Sequence, residues 1–134
     1  ALSVLMYIQP MFVKYPPEQQ RLLEYLMRNA MDIATTGCSV NVKLSEDKKT
    51  ILDARIAYGV AGPVPMRAPS AEAKIRGKET GRAAVKEFAQ AVLEDINPRD
   101  SWRAAKDFRE HIATVLAERA LCESIRLAGG EVHE

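Results

Sequence analysis

Ser39-Val40-Asn41-Val42-Lys43-Leu44 and Ile51-Leu-Asp-Ala-Arg-Ile-Ala-Tyr58, joined by the charged stretch Ser45-Glu-Asp-Lys-Lys-Thr50, decide the fold class. Residues 39–44 alternate polar and apolar with period two, the pattern of a strand with one wet face. The second run repeats it, with Leu52, Ala54, Ile56 and Tyr58 on one face and Asp53, Arg55 and Ala57 on the other. Two alternating runs around a short charged connection predict an antiparallel hairpin.

Upstream, Leu2–Gln9 reads as a first strand stopped by Pro10. Tyr15-Pro16-Pro17 marks an exposed turn, because two prolines remove donors and bias the preceding residue away from helix. Leu22, Leu23, Leu26, Met27 and Ile33, interspersed with charges, predict short helical pieces between about Glu18 and Ala34, ended by Gly37. Downstream, Gly59–Pro69 is a Gly/Pro-punctuated loop. Ser70 is the expected N-cap of a helix over Ala71–Arg76 closed by Gly77.

A second helix is expected from about Thr80 to Asp95, its stripe formed by Val85, Phe88, Ala89, Val92, Leu93 and Ile96, with Asn97-Pro98 ending it. Asp100 or Ser101 then caps a last helix, roughly Trp102–Leu127, before Gly129-Gly130. Its stripe reads Trp102, Ala105, Phe108, Ile112, Val115, Leu116 and Ala120. Strands followed by helices give an α+β fold: a three- to four-stranded antiparallel sheet with about three helices packed on one face.

The chain's 134 residues fit one domain, 1–134, large enough for a hydrophobic core. A formal net charge of +1 gives no electrostatic footprint for nucleic acid or an anionic membrane. Cys38 and Cys122 make neither a disulfide framework nor metal-ligand spacing, which favours a reducing, cytoplasmic setting. The apolar start, Leu2–Ile8, is too short to span a bilayer and lacks the basic flank of a signal peptide. Beginning at Ala1 on a strand-like run, the chain reads as a fragment or a mature subunit end.

No residues form a nucleophile–base set, so an independent small enzyme is disfavoured. His111 is expected at the rim of the last helix and His133 in a frayed tail. Both cysteines read as small buried hydrophobes. Gly59 and Gly62 lack the third glycine and the following helix that a dinucleotide fingerprint requires. Arg67 could reach an anion but reads as a surface arginine. Arg109 and Arg119 fall near the last helix's apolar face, explained equally by stems lying on apolar surface or by an interface. Arg28 and Asp32, four apart, can pair on a helical turn.

Three ordered segments carry a family resemblance. They are Arg28-Asn-Ala-Met-Asp32-Ile-Ala with Gly37-Cys-Ser-Val40, then Asp53–Ala68 with Ala71-Glu72, and Asp100-Ser-Trp-Arg-Ala-Ala-Lys-Asp-Phe-Arg109 through Arg119-Ala-Leu. Together, over about residues 4–127, the chain resembles the C-terminal domain of the FAD-binding subunit of xanthine dehydrogenases and related molybdenum hydroxylases, including the carbon monoxide dehydrogenase flavoprotein. The resemblance implies a domain that closes one side of a flavin cleft, while an N-terminal part absent from this chain holds the FAD pyrophosphate. It implies iron–sulfur clusters and molybdopterin on partner subunits, with FAD passing electrons to NAD or another acceptor. Carried over by position, Arg28 and Asp32 lie near the flavin edge and Val4 or Leu5 touches the ring. Glu24 departs from the pattern, standing where many relatives have lysine. The implied function is an FAD-covering lid within an oxidoreductase complex; the alternative is a scaffold domain that docks other subunits without touching flavin. Neither nucleic acid nor membrane is an expected partner, and homo-oligomerisation is left open.

Overall fold

The computed structural model describes residues 20–25, 36–102 and 104–134, the first of these segments in its backbone. Among the described residues, four strands, β1 (Gln20–Tyr25), β2 (Thr36–Leu44), β3 (Ile51–Gly59) and β4 (Met66–Arg67), form one antiparallel sheet in the order β1-β2-β3-β4. Three helices follow: α1 (Pro69–Ile75), α2 (Arg82–Ala91), extended by a 3₁₀ turn at Val92–Glu94, and α3 (Lys106–Leu127). The α+β class and the hairpin are as the sequence predicts. The expected strand at 2–9 lies outside the described residues.

Residues 20–25 are a strand, not the helical piece their leucines and glutamate suggest. Pairing with β2, from Gln20 opposite Asn41 to Tyr25 opposite Thr36, overrides the local helix preference. That pairing makes β2 an interior strand, and every residue from Thr36 to Val42 is buried, so the wet face expected there is absent. Cys38, Val40 and Val42 join Ala54, Ile56 and Tyr58 in the core beneath the helices. Ser39, Asn41 and Ala57 are buried on the opposite side of the pleat.

The β2–β3 register shifts between Lys43 and Leu44, so Leu44 faces Ile51 and Lys43 faces Asp53. Leu52 is the extra residue of this bulge. It is 46% exposed, whereas Ile51 is fully buried, which corrects the face assigned to Leu52 by simple alternation.

Helix α1 starts at Pro69, and its first turn is capped from a distance. The Asp95 carboxylate accepts from Ser70 N–H at 2.9 Å and from Ser70 Oγ at 3.0 Å. Ser70 is therefore a donor to the cap rather than the cap itself. The helix ends at Gly77, whose φ of +80° suits a residue without Cβ.

The α2 stripe is as expected except for Leu93, which is 38% exposed on the 3₁₀ turn. Helix α3 begins four residues later than predicted, with Asp100 Oδ1 accepting from Lys106 N–H at 2.7 Å. Its buried face is Arg109, Ala113, Leu116, Ala117, Ala120, Leu121, Ser124 and Ile125. Trp102 (88% exposed) precedes the helix and Phe108 (42%) lies off that face, so the predicted stripe is turned by about one residue.

Beyond α3 the chain is tied down. Lys48 Nζ donates to Ala128 O at 2.8 Å, a cation at a helix C-terminus. A Cβ at Gly130 would come within 2.7 Å of Leu44 Cδ1 and 3.2 Å of Lys48 O. His133 N–H donates to Thr80 O at 2.9 Å, and Arg82 N–H donates to His133 O at 2.7 Å. The tail expected to fray is thus a short bridge alongside residues 80–82.

Candidate functional site

Val4, Leu5, Arg28 and Asp32 all lie outside the described residues. Two of them, Arg28 and Asp32, fall in the sequence between the described strands β1 and β2. The chain leaves β1 at Tyr25 and enters β2 at its Cα partner Thr36, and Gly37 next to it faces Gly59 at the end of β3. Tyr25 and Thr36 therefore lie at the end of the sheet where the Gly59–Pro65 loop begins. Glu24 is in register with Gly37.

That loop is built to hold a shape. Val60 has φ +64°, a left-handed conformation costly for a β-branched residue. Ala61 is buried, and its carbonyl accepts from Asn97 N–H at 3.0 Å, binding the loop to the segment after α2. The loop runs into β4 rather than into a helix, so it does not cradle a phosphate.

Arg67 is neither a free surface cation nor an anion ligand. Its Nε donates to Glu72 Oε1 at 3.0 Å and its terminal nitrogen to Glu72 Oε2. Glu72 is 4% exposed, and Oε1 also accepts from Ile56 N–H at 3.1 Å. One carboxylate thus satisfies the edge of β3 beyond its two-residue pairing with β4 and fixes the arginine that ends β4. Sequence reasoning passed over Glu72. A lone glutamate in an alanine-rich helix gives no periodic signal for burial.

The other candidates resolve simply. The Cys38 thiol is fully buried beside Tyr58; burial pushes its pKa far up, against the smaller effect of the tyrosine hydrogen bond. Tyr58 is raised by the same burial, and its hydroxyl donates to Ala113 O at 2.6 Å. Cys122 is half-buried, and its thiol is raised by desolvation and by Glu118. With native protein at pH 8, iodoacetamide is expected to modify Cys122 slowly and leave Cys38 intact, read by peptide mass spectrometry. Modification of Cys38 at the same rate would contradict the burial.

Arg109, 4% exposed, donates to Ser101 Oγ at 2.7 Å and to Ala104 O at 3.3 Å, organising the entry to α3. Neither explanation offered for it from sequence, a solvated head or an interface, fits this burial. Arg119 and His111 are exposed.

Among the described residues no cluster of His, Cys, Asp or Glu could hold a metal ion, and no helix is long and apolar enough to cross a membrane. Two of the three described helix N-termini are already occupied by carboxylates. The first turn of α1 already receives the Asp95 carboxylate and that of α3 receives Asp100. Buried polar atoms without partners do occur: Thr36 Oγ1, both ends of the Asn41 amide, and Thr80 Oγ1. They are scattered over β2 and the segment before α2 and make no common site.

Comparison with known proteins adds what these residues cannot. The xanthine dehydrogenase FAD-binding subunit of Escherichia coli O157:H7 is 33% identical over 123 residues, covering 88% of this chain and 41% of that protein. Carbon monoxide dehydrogenase from Hydrogenophaga pseudoflava, in a form lacking the Mo-pyranopterin moiety of its molybdenum cofactor, superposes with a TM-score of 0.71. It is 27% identical over 81% of this chain and 38% of that one. Quinoline 2-oxidoreductase from Pseudomonas putida 86 shares the fold, with a TM-score of 0.75 and 21% identity over 83% of this chain and 38% of its own. The chain therefore spans well under half the length of these relatives. The family model for the CO dehydrogenase flavoprotein C-terminal domain matches residues 21–124, and this chain belongs to that family.

Proposed function

We propose that this chain is the flavin-covering C-terminal domain of an FAD-binding subunit in a xanthine-dehydrogenase-type oxidoreductase. The observation that carries the reading is the family match over residues 21–124. The grip on FAD then belongs to the part of the relatives this chain does not span. FAD, when bound, supplies the electron transfer, and the protein positions and shields it.

In this reading the connection from β1 to β2 brings Arg28 and Asp32 to the flavin edge, and Val4 or Leu5 meets the ring. The Gly59–Pro65 loop begins at the end of the sheet where β1 leaves and β2 enters. Iron–sulfur and molybdopterin subunits are the partners. The acid at Glu24, where many relatives carry lysine, favours a second reading: a scaffold domain that docks those subunits without flavin contact.

The two readings differ in a spectrum. The 134-residue chain should purify colourless. Added to a separately expressed N-terminal FAD-binding part carrying FAD, it should perturb the flavin absorbance bands and slow flavin loss. Arg28→Ala should diminish that perturbation. Complex formation without any change in the flavin spectrum would select the scaffold reading, and stoichiometric FAD on the chain alone would refute both.

A further inference from the structure

A groove of about 520 Å³ opens between the first turn of α2, the later turns of α3 and the C-terminal tail. Arg82 and Val85 line it from α2, Glu118, Arg119, Cys122 and Glu123 from α3, and Val132 from the tail. Its volume falls within the roughly 300–1,000 Å³ typical of small-molecule sites.

The walls are fixed. Val132 is held by the paired backbone hydrogen bonds of His133 with Thr80 and Arg82, and Val85 N–H donates to Gly81 O at 3.1 Å. Val85, Cys122, Val132 and the arginine stems give the groove its apolar lining.

The lining carries two arginines and two glutamates, and only one of those glutamates is left to oppose the arginines. Glu123 is already engaged by both Nε (3.1 Å) and a terminal nitrogen (2.8 Å) of Arg126. Nearby, Lys78 is paired with Glu87. Among the described residues, Arg82 and Arg119 have no carboxylate partner, and Glu118 is the one opposing acid in the lining without a cation of its own. The first turn of α2 contains no acidic residue. Two unpaired guanidinium groups beside an apolar crevice match a carboxylate attached to an apolar body, since the planar fork of arginine engages both carboxylate oxygens.

From this complementarity we propose that the groove binds a small amphiphilic carboxylate, with its head group at Arg82 and Arg119 and its apolar body along Val85, Cys122 and Val132. None of the lining residues is among those assigned to flavin, and the proposal does not depend on that reading.

Cys122 supplies a local reporter, because it lies in the groove and Cys38 is sealed in the core. The experiment uses the full chain, with dodecanoate as probe below its micellar concentration, following the rate of Cys122 alkylation. Dodecyltrimethylammonium, with the same tail and a cationic head, is the control. Dodecanoate should slow alkylation at least fivefold at saturation, and the cationic amphiphile should not. Arg82→Gln and Arg119→Gln, both at exposed positions, should each weaken dodecanoate about tenfold, as expected for the loss of one charge-assisted contact. Their circular dichroism and thermal midpoints should match wild type. Equal protection by both amphiphiles would reduce the groove to an apolar crevice, and no protection by dodecanoate would leave it to some other occupant. Unchanged affinity in the double variant would remove the guanidinium groups from the site. Each of these three results overturns the proposal.

Discussion

Replacing Glu72 with alanine is expected to lower the unfolding free energy by about 3 kcal/mol, the low end for breaking a buried ion pair by removing one partner. The loss has two sources. Ile56 N–H, on the edge of β3 beyond its pairing with β4, would be left buried without an acceptor. Arg67, whose side chain is 35% exposed, would lose both of its hydrogen bonds to the carboxylate but keep access to water, which places the effect at the low end. Glu72→Gln keeps an acceptor for Ile56 and should cost about half as much. Arg67→Ala should also cost less than Glu72→Ala, leaving Glu72 still bonded to Ile56. Urea titrations of the three single variants and the Glu72→Ala/Arg67→Ala double variant give the coupling energy. Equal losses for Glu72→Ala and Glu72→Gln would mean that the backbone acceptor role is unimportant, contrary to the geometry.

The same pair bears on how function is distributed in the family to which the chain belongs. Arg67 and Glu72 lie within the second segment that carries the sequence resemblance, in a loop-strand-helix passage where a binding motif could be sought. The structure gives them a structural task. They clamp a two-residue strand and a short helix against β3, holding the far end of the Gly59–Pro65 loop. That loop in turn begins at the end of the sheet where Tyr25 pairs with Thr36. A stability variant at Glu72 would therefore also loosen the placement of that loop.

The legibility of this chain from sequence follows physical lines. The hairpin was readable because period-two alternation and a charged turn are local signals, strong enough to survive the bulge at Leu52. β1 was not, because its leucines and glutamate prefer helix and only pairing with β2 makes it a strand. Helix boundaries slipped wherever the cap came from elsewhere: Asp95 serves α1 across the fold, and Asp100 reaches Lys106 over an intervening loop. The hydrogen bond from Tyr58 on β3 to Ala113 O on α3 and the bound state of Arg67 depend on contacts between segments that no spacing encodes. The groove at Arg82 and Arg119 likewise exists only once the tail is hydrogen-bonded beside α2. Arg119 did carry a trace of it, as a charge close to an apolar face.

The misplaced stripe of α3 leads to the second large effect. Trp102 and Phe108 drew the predicted face toward themselves, because aromatic residues dominate any hydrophobicity count. The buried face is instead rich in alanine: Ala113, Ala117 and Ala120 lie against the sheet, followed by Ser124, whose Oγ donates to Val40 O at 3.1 Å. Small side chains let the helix approach closely enough for Ser124 to reach a strand carbonyl and for Tyr58 to reach Ala113 O. Volume added at Ala117, which is fully buried, has nowhere to go. Ala117→Leu is expected to destabilise the domain by about 3 kcal/mol, the upper end for overpacking a filled core. Phe108→Ser, at a position 42% exposed, should cost about 1 kcal/mol or less although it deletes a far larger apolar group. Thermal and urea unfolding of the two variants would decide between the faces. A larger loss at Phe108 than at Ala117 would restore the aromatic stripe and require α3 to be turned on its axis, which would carry Ser124 away from Val40 and Arg119 out of the groove.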